Sequence, residues 1–128
     1  MQRVLIFDDD PDILALCSII FRKKGFETKG QTTCRDVISV TTEFDPHVIL
    51  MDNWIPDDGG IDATHKLKAN PATAHIPVIF FSASNDVREY AGQAGADTYL
   101  RKPFDITELE NSVQKMMESS PRLASHNR

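Results

Sequence analysis

The sequence predicts an α/β protein: a doubly wound parallel sheet of roughly five strands with helices on both faces. Three observations predict it. Short apolar runs alternate with helical stretches along most of the chain, and no hairpin signal joins one run to the next. Parallel neighbours need such crossovers, whereas antiparallel ones are joined by tight turns. Residues of chemical interest also fall just after the apolar runs, where open parallel sheets bind their ligands.

Val4 to Phe7 is too short for a helix and is bounded by acids, so it reads as a buried strand. Asp10 can cap the helix that follows, and Pro11 suits its first position. Ile13, Leu16, Cys17 and Ile20 recur at helical spacing before Lys23, Lys24 and a stopping Gly25. Phe26 to Gly30 reads as a weak strand, Cys34 to Phe44 as a helix, and His47 to Met51 as a strong strand. A helix from Gly60 to Ala69 ends near Pro71, and Ile76 to Phe81 is the next strand. Asp86 to Ala94 is a helix rich in small residues, and Ala96 to Leu100 is the last strand. Ile106, Leu109, Val113 and Met116 place one apolar stripe on a final helix, Ile106 to Met117. Asp105 and Glu108 have capping-box spacing at its start. The expected organisation is one domain over residues 1–118, with residues 119–128 as a flexible tail.

With 41% hydrophobic and 26% charged residues the chain can build a real core. A formal net charge of −5 argues against gripping nucleic acid through phosphate contacts. Cys17 and Cys34, each expected within a helix, suggest neither a disulfide framework nor a thiolate metal site. No apolar stretch is long enough for a signal peptide or membrane span, so a cytoplasmic protein without membrane insertion is expected. His47, His65, His75 and His126 lack the pair spacing of a metal site.

The residues just after the strands carry the chemistry. They are Asp8, Asp9 and Asp10, then Asp52, then Ser82, then Lys102. Asp10 is spoken for as a cap, but two further acids at one point have no capping need to meet. Carboxylates gathered at one sheet edge repel unless a cation or proton joins them. Mg²⁺ (or Mn²⁺) suits Asp8 or Asp9 with Asp52, since such ions take oxygen ligands and commonly a substrate phosphate. A carboxylate can itself accept a phosphoryl group, a transfer that needs mainly positioning and charge neutralisation. Lys102 and the metal would supply the second, and the Ser82 hydroxyl would hydrogen-bond a phosphoryl oxygen.

The acidic pair after VLIF, the DNWIPDDGG segment with Pro56 and Gly60 trailing Asp52, FFSAS and YLRKPF together resemble the receiver domain of two-component response regulators, over about Arg3 to Met117. The resemblance implies a flavodoxin-like fold. It makes Asp52 the phosphoacceptor, charged from a sensor histidine kinase or phosphotransfer protein. The metal would be held by Asp8, Asp9, Asp52 and the backbone carbonyl of Trp54, with Ser82 and Lys102 contacting the phosphoryl group. Ser82 and Tyr99 would act as switch residues that alter binding of a downstream protein, as a monomer or a phosphorylation-dependent dimer. It also implies a cis peptide between Lys102 and Pro103. Apart from its own phosphoryl transfer and slow autodephosphorylation, no enzyme activity is expected.

Ser82 stands where the family more usually has Thr, which keeps the hydroxyl but loses χ1 stiffness. Trp54, two residues after Asp52, offers no carboxylate or carboxamide to orient water, so slow autodephosphorylation is expected. Bland readings stand beside these: Ser82 as a turn hydroxyl, Lys102 as a snorkelling lysine, Tyr99 as a packed ring with an exposed hydroxyl.

The main alternative is a small haloacid-dehalogenase-like phosphatase, whose opening motif Asp8 and Asp10 imitate. Asp12 departs from that motif, and 128 residues leave little room for a substrate cap. A flavodoxin-like mononucleotide carrier would need a phosphate-friendly first loop in place of three acids. A non-phosphorylated interaction module would have no use for the full set of candidate residues.

Overall fold

The computed structural model describes residues 2–55 and 59–119. Strands β1 (Arg3–Phe7), β2 (Glu27–Gln31), β3 (Val48–Asp52), β4 (Val78–Ser82) and β5 (Thr98–Arg101) alternate with helices. These are α1 (Pro11–Lys23), α2 (Val37–Phe44), α3 (Gly59–Ala69), α4 (Val87–Ala94) and α5 (Ile106–Glu118). All neighbouring strands are parallel, in the order β2-β1-β3-β4-β5. This is the doubly wound, flavodoxin-like sheet that the sequence predicts.

Because successive strand residues point to opposite faces, each apolar strand feeds two cores. Leu5, Phe7, Ile49, Met51, Val78 and Phe80 pack beneath α2, α3 and α4 with Val37, Ala63, Leu67 and Ala91. Val4, Ile6, Val48, Leu50, Ile79 and Phe81 pack against α1 and α5 with Cys17, Phe21, Leu109, Val113 and Met117. Each large apolar side chain so buried contributes about 1.5–3 kcal/mol, which is what fixes the strand register. The central strands β3 and β4 are buried at every position, while β2, at the sheet edge, is half-exposed.

Local chemistry sets the helix ends. Asp10 caps α1, its side chain accepting from the amide of Asp12, and Pro11 opens the helix. The Asp105 carboxylate accepts from the amide of Glu108 at 2.7 Å and caps α5. The expected helix from Cys34 begins later, at Val37, because Asp36 takes the left-handed conformation with φ 56°. Cys34 therefore precedes α2, although its side chain enters the core as a helical residue's would. The strand expected from Ile76 starts at Val78: the Ile76 amide is held in a turn by the Thr73 carbonyl, and Pro77 has no amide to give. Ser119 closes α5 through its amide on the Lys115 carbonyl, and the rest of the expected tail lies outside the described residues.

Candidate functional site

The sheet register brings the strand ends to one rim. The Asp8 amide donates to the Gln31 carbonyl at 3.0 Å, directly after Phe7 pairs with Met51. Asp52 lies opposite Phe81, and Ser82 lies opposite Arg101. The Lys102 amide then donates to the Ser82 carbonyl at 2.9 Å. Four strands thus deliver Asp8, Asp52, Ser82 and Lys102 to neighbouring positions.

Lys102 spans the acids. Its Nζ lies 2.7 Å from Oδ2 of Asp8 and 3.1 Å from Oδ1 of Asp52, and 4.5 Å from the centre of the Phe81 ring. Asp8 is 1% exposed and Asp52 4%, so the lysine joins two buried carboxylates. The other oxygen of Asp8 accepts from the Asp10 amide at 2.9 Å. Asp9 is exposed, yet one oxygen from each of Asp8, Asp9 and Asp52 falls within 4.8 Å of the others. Three carboxylates against one ammonium leave negative charge at the rim.

Burial raises the Asp52 carboxyl above its usual range; Lys102 opposes this, and the charges of Asp8 and Asp9 reinforce it. Burial alone would lower the Lys102 ammonium, but its hydrogen bond to Asp8 and the charges of Asp52 and Asp8 carry it above the ordinary value of 10.5. The lysine is therefore a fixed cation. Below it, Cys17 is pushed up to about 12 by burial and then by the charge of Asp8, which keeps it a thiol rather than a nucleophile.

The loop after β3 is shaped by a close approach. A Cβ on Gly60 would stand 2.1 Å from the Asp52 carbonyl oxygen, so no other residue fits there without moving the acid. The Gly60 amide donates to the Asn53 carbonyl at 3.0 Å. Pro56 lies outside the described residues. Trp54 is 68% exposed and meets the ring of Tyr90 on α4 edge-on, at 6.2 Å between centres.

Ser82 is fully buried, and its Oγ accepts from the Ser84 amide at 3.2 Å. Tyr99 stands on β5 with 42% of its surface exposed. The Lys102 to Pro103 peptide is cis. Two contacts escape a sequence reading: the Trp54–Tyr90 ring pair, and an Arg101 guanidinium that donates to the Asn85 side chain. Neither residue type at those positions signals its partner, because both contacts depend on how α4 settles against the sheet.

A doubly wound sheet whose rim gathers buried carboxylates around one lysine defines a class of acidic-cleft α/β modules. The family model of the response regulator receiver domain matches residues 4–114, and the chain belongs to that family. It is 30% identical over 125 residues to the DNA-binding dual master transcriptional regulator RpaA of Synechocystis sp., a match covering 96% of this chain and 52% of that protein. It is 32% identical over 120 residues to the regulatory protein AtoC of Escherichia coli, covering 92% of this chain and 26% of that one. The chain thus spans about half the length, or less, of these relatives.

Among solved structures, the receiver domain of the sensor histidine kinase PA1611 from Pseudomonas aeruginosa PAO1 matches with a TM-score of 0.83 and 27% identity, over 92% of this chain and 98% of that one. That structure has a magnesium ion coordinated in its active-site cleft. A CheY-like receiver domain protein from Methanospirillum hungatei JF-1 has the same fold, with a TM-score of 0.85 at 22% identity, over 95% of this chain and 98% of that one. The chain is therefore a two-component receiver domain, related to response regulators rather than to conventional enzymes. Among the described residues, no helix is long and apolar enough to cross a membrane.

Proposed function

We propose that Asp52 is the phosphoacceptor of this receiver and that its modification switches the binding of a protein partner. The observation that carries the reading is the Lys102 ammonium set between Asp8 and Asp52, which places a fixed cation beside the proposed nucleophile. One Asp52 oxygen attacks the phosphorus of a phosphohistidine on a sensor kinase or phosphotransfer protein. The nitrogen–phosphorus bond breaks, and its electron pair stays with the imidazole.

Asp8, Asp9 and Asp52, with the Trp54 carbonyl, would hold Mg²⁺ or Mn²⁺; an all-oxygen donor set with surplus negative charge suits such an ion. When bound, it supplies charge neutralisation for the transferring group. Lys102 neutralises one phosphoryl oxygen. Because Ser82 Oγ accepts from the Ser84 amide, its own proton remains to be donated to another. Drawing Ser82 toward the phosphoryl group would move the β4–α4 loop, and Tyr99 on the neighbouring strand would follow.

The proposed output is altered protein binding, as monomer or phosphorylation-dependent dimer, in the cytoplasm. DNA binding belongs to the relatives so described, and the negative charge of this chain does not favour it. The phosphatase alternative gains no support from the family match. One stoichiometric phosphate that is stable in acid and labile in base is the expected product of treatment with a small-molecule phosphodonor. Sustained turnover of a phosphate monoester would overturn the reading.

A further inference from the structure

Trp54 is the only tryptophan of the chain, and it is placed unusually. It lies two residues beyond Asp52, is 68% exposed, and has the Tyr90 ring edge-on at 6.2 Å and 74°. A large ring so exposed is not held by burial, so an aromatic edge contact has a large share in fixing its direction. The two rings belong to different parts of the fold: Trp54 to the loop that follows β3, Tyr90 to the fourth position of α4. Asn53, between Asp52 and Trp54, is buried, and its backbone amide donates to the Phe81 carbonyl at 3.2 Å.

The helix at the other end packs against α3, β4 and β5. On its inner face α4 buries Val87, Ala91 and Ala94, all small, and Tyr90 is half-buried beside them. Any shift of α4 carries Tyr90 with it.

We propose that Tyr90 is a positioning residue that holds the Trp54 indole at the mouth of the cleft, so that the placement of α4 sets the lifetime of a phosphoryl group on Asp52. The proposal rests on the phosphoacceptor reading above. In hydrolysis, a water oxygen bonds to phosphorus, the bond from the Asp52 oxygen to phosphorus breaks, and the water proton passes to solvent; the products are phosphate and the free carboxylate. The held indole narrows the approach of that water.

The test uses the whole chain as wild type, Tyr90→Ala, Tyr90→Phe, Trp54→Ala and the Trp54→Ala/Tyr90→Ala double variant. Each is loaded with acetyl phosphate and Mg²⁺, and phosphate loss is followed by intact mass; acrylamide quenching of Trp54 fluorescence is read in parallel. Tyr90→Ala should shorten the lifetime by about threefold or more and increase quenching, the scale an aromatic edge contact supplies. Tyr90→Phe, which keeps the ring, should behave as wild type, and in the Trp54→Ala background the Tyr90 effect should vanish. Tyr90→Leu serves if the alanine variant fails to fold. An unchanged lifetime in Tyr90→Ala, or an effect that persists without Trp54, overturns the proposal. If wild type takes no phosphate, the phosphoacceptor reading fails; unchanged quenching in Tyr90→Ala then separately refutes the holding role of Tyr90.

Discussion

Lys102 Nζ lies 2.7 Å from Oδ2 of Asp8, so the residue after the last strand meets the residue after the first, ninety-four positions apart in sequence. The same ammonium reaches Asp52, so one cation offsets part of the charge of two buried carboxylates. Removing one partner from such a buried arrangement strands the others.

Lys102→Met should therefore lose about 3 kcal/mol in urea unfolding with a chelator present, and recover a substantial part of it in millimolar Mg²⁺. The folded pKa of Lys102 is raised, so its contribution is complete at neutral pH and fades only as pH climbs through that value, above 10.5. Equal stability of variant and wild type in chelator would contradict this.

Asp52 behaves in the opposite sense. Its folded pKa is raised above 3.8, so the folded form holds the proton more tightly than the unfolded one. Stability linked to that proton is present in acid and lost as pH rises through the folded value. Asp52→Asn should be more stable than wild type by about 1 kcal/mol at neutral pH in metal-free buffer, with the gap closing toward acid. A gap that widens in acid would refute it.

The alternating elements and the rim acids were legible in the sequence because both follow from short-range pattern. Val48 to Met51 is apolar throughout, as a strand covered on both faces must be, and Asp52 follows it directly. The start of α2 was not legible: Cys34, Val37 and Thr41 have helical spacing and are all buried, yet Asp36 turns left-handed between them. Asp8 and Asp9 look equivalent in sequence, but strand geometry buries one beside Lys102 and leaves the other exposed. Ring contacts such as Trp54 with Tyr90 depend on helix placement, which no local pattern encodes.

Gly60→Ala should cost about 1–3 kcal/mol, because its methyl would meet the Asp52 carbonyl at 2.1 Å and the backbone must yield. Thermal unfolding checks the stability. Phosphate loading should fall too, since the same displacement moves Asp52; a variant that melts and loads as wild type would contradict the close approach.

Trp54→Asn places a carboxamide where water bound for phosphorus can be oriented. The aspartyl-phosphate should then decay faster by about tenfold, within the range that positioning of a reactant supplies. Release of inorganic phosphate after removal of the donor measures it. An unchanged half-life would show that Trp54 does not govern water at the cleft.

Intact mass of wild type and Asp52→Asn after incubation with acetyl phosphate and Mg²⁺ tests the phosphoacceptor assignment most directly. One phosphate adduct on wild type and none on Asp52→Asn is the predicted result. An adduct of equal yield on both proteins, or none on either, would contradict it.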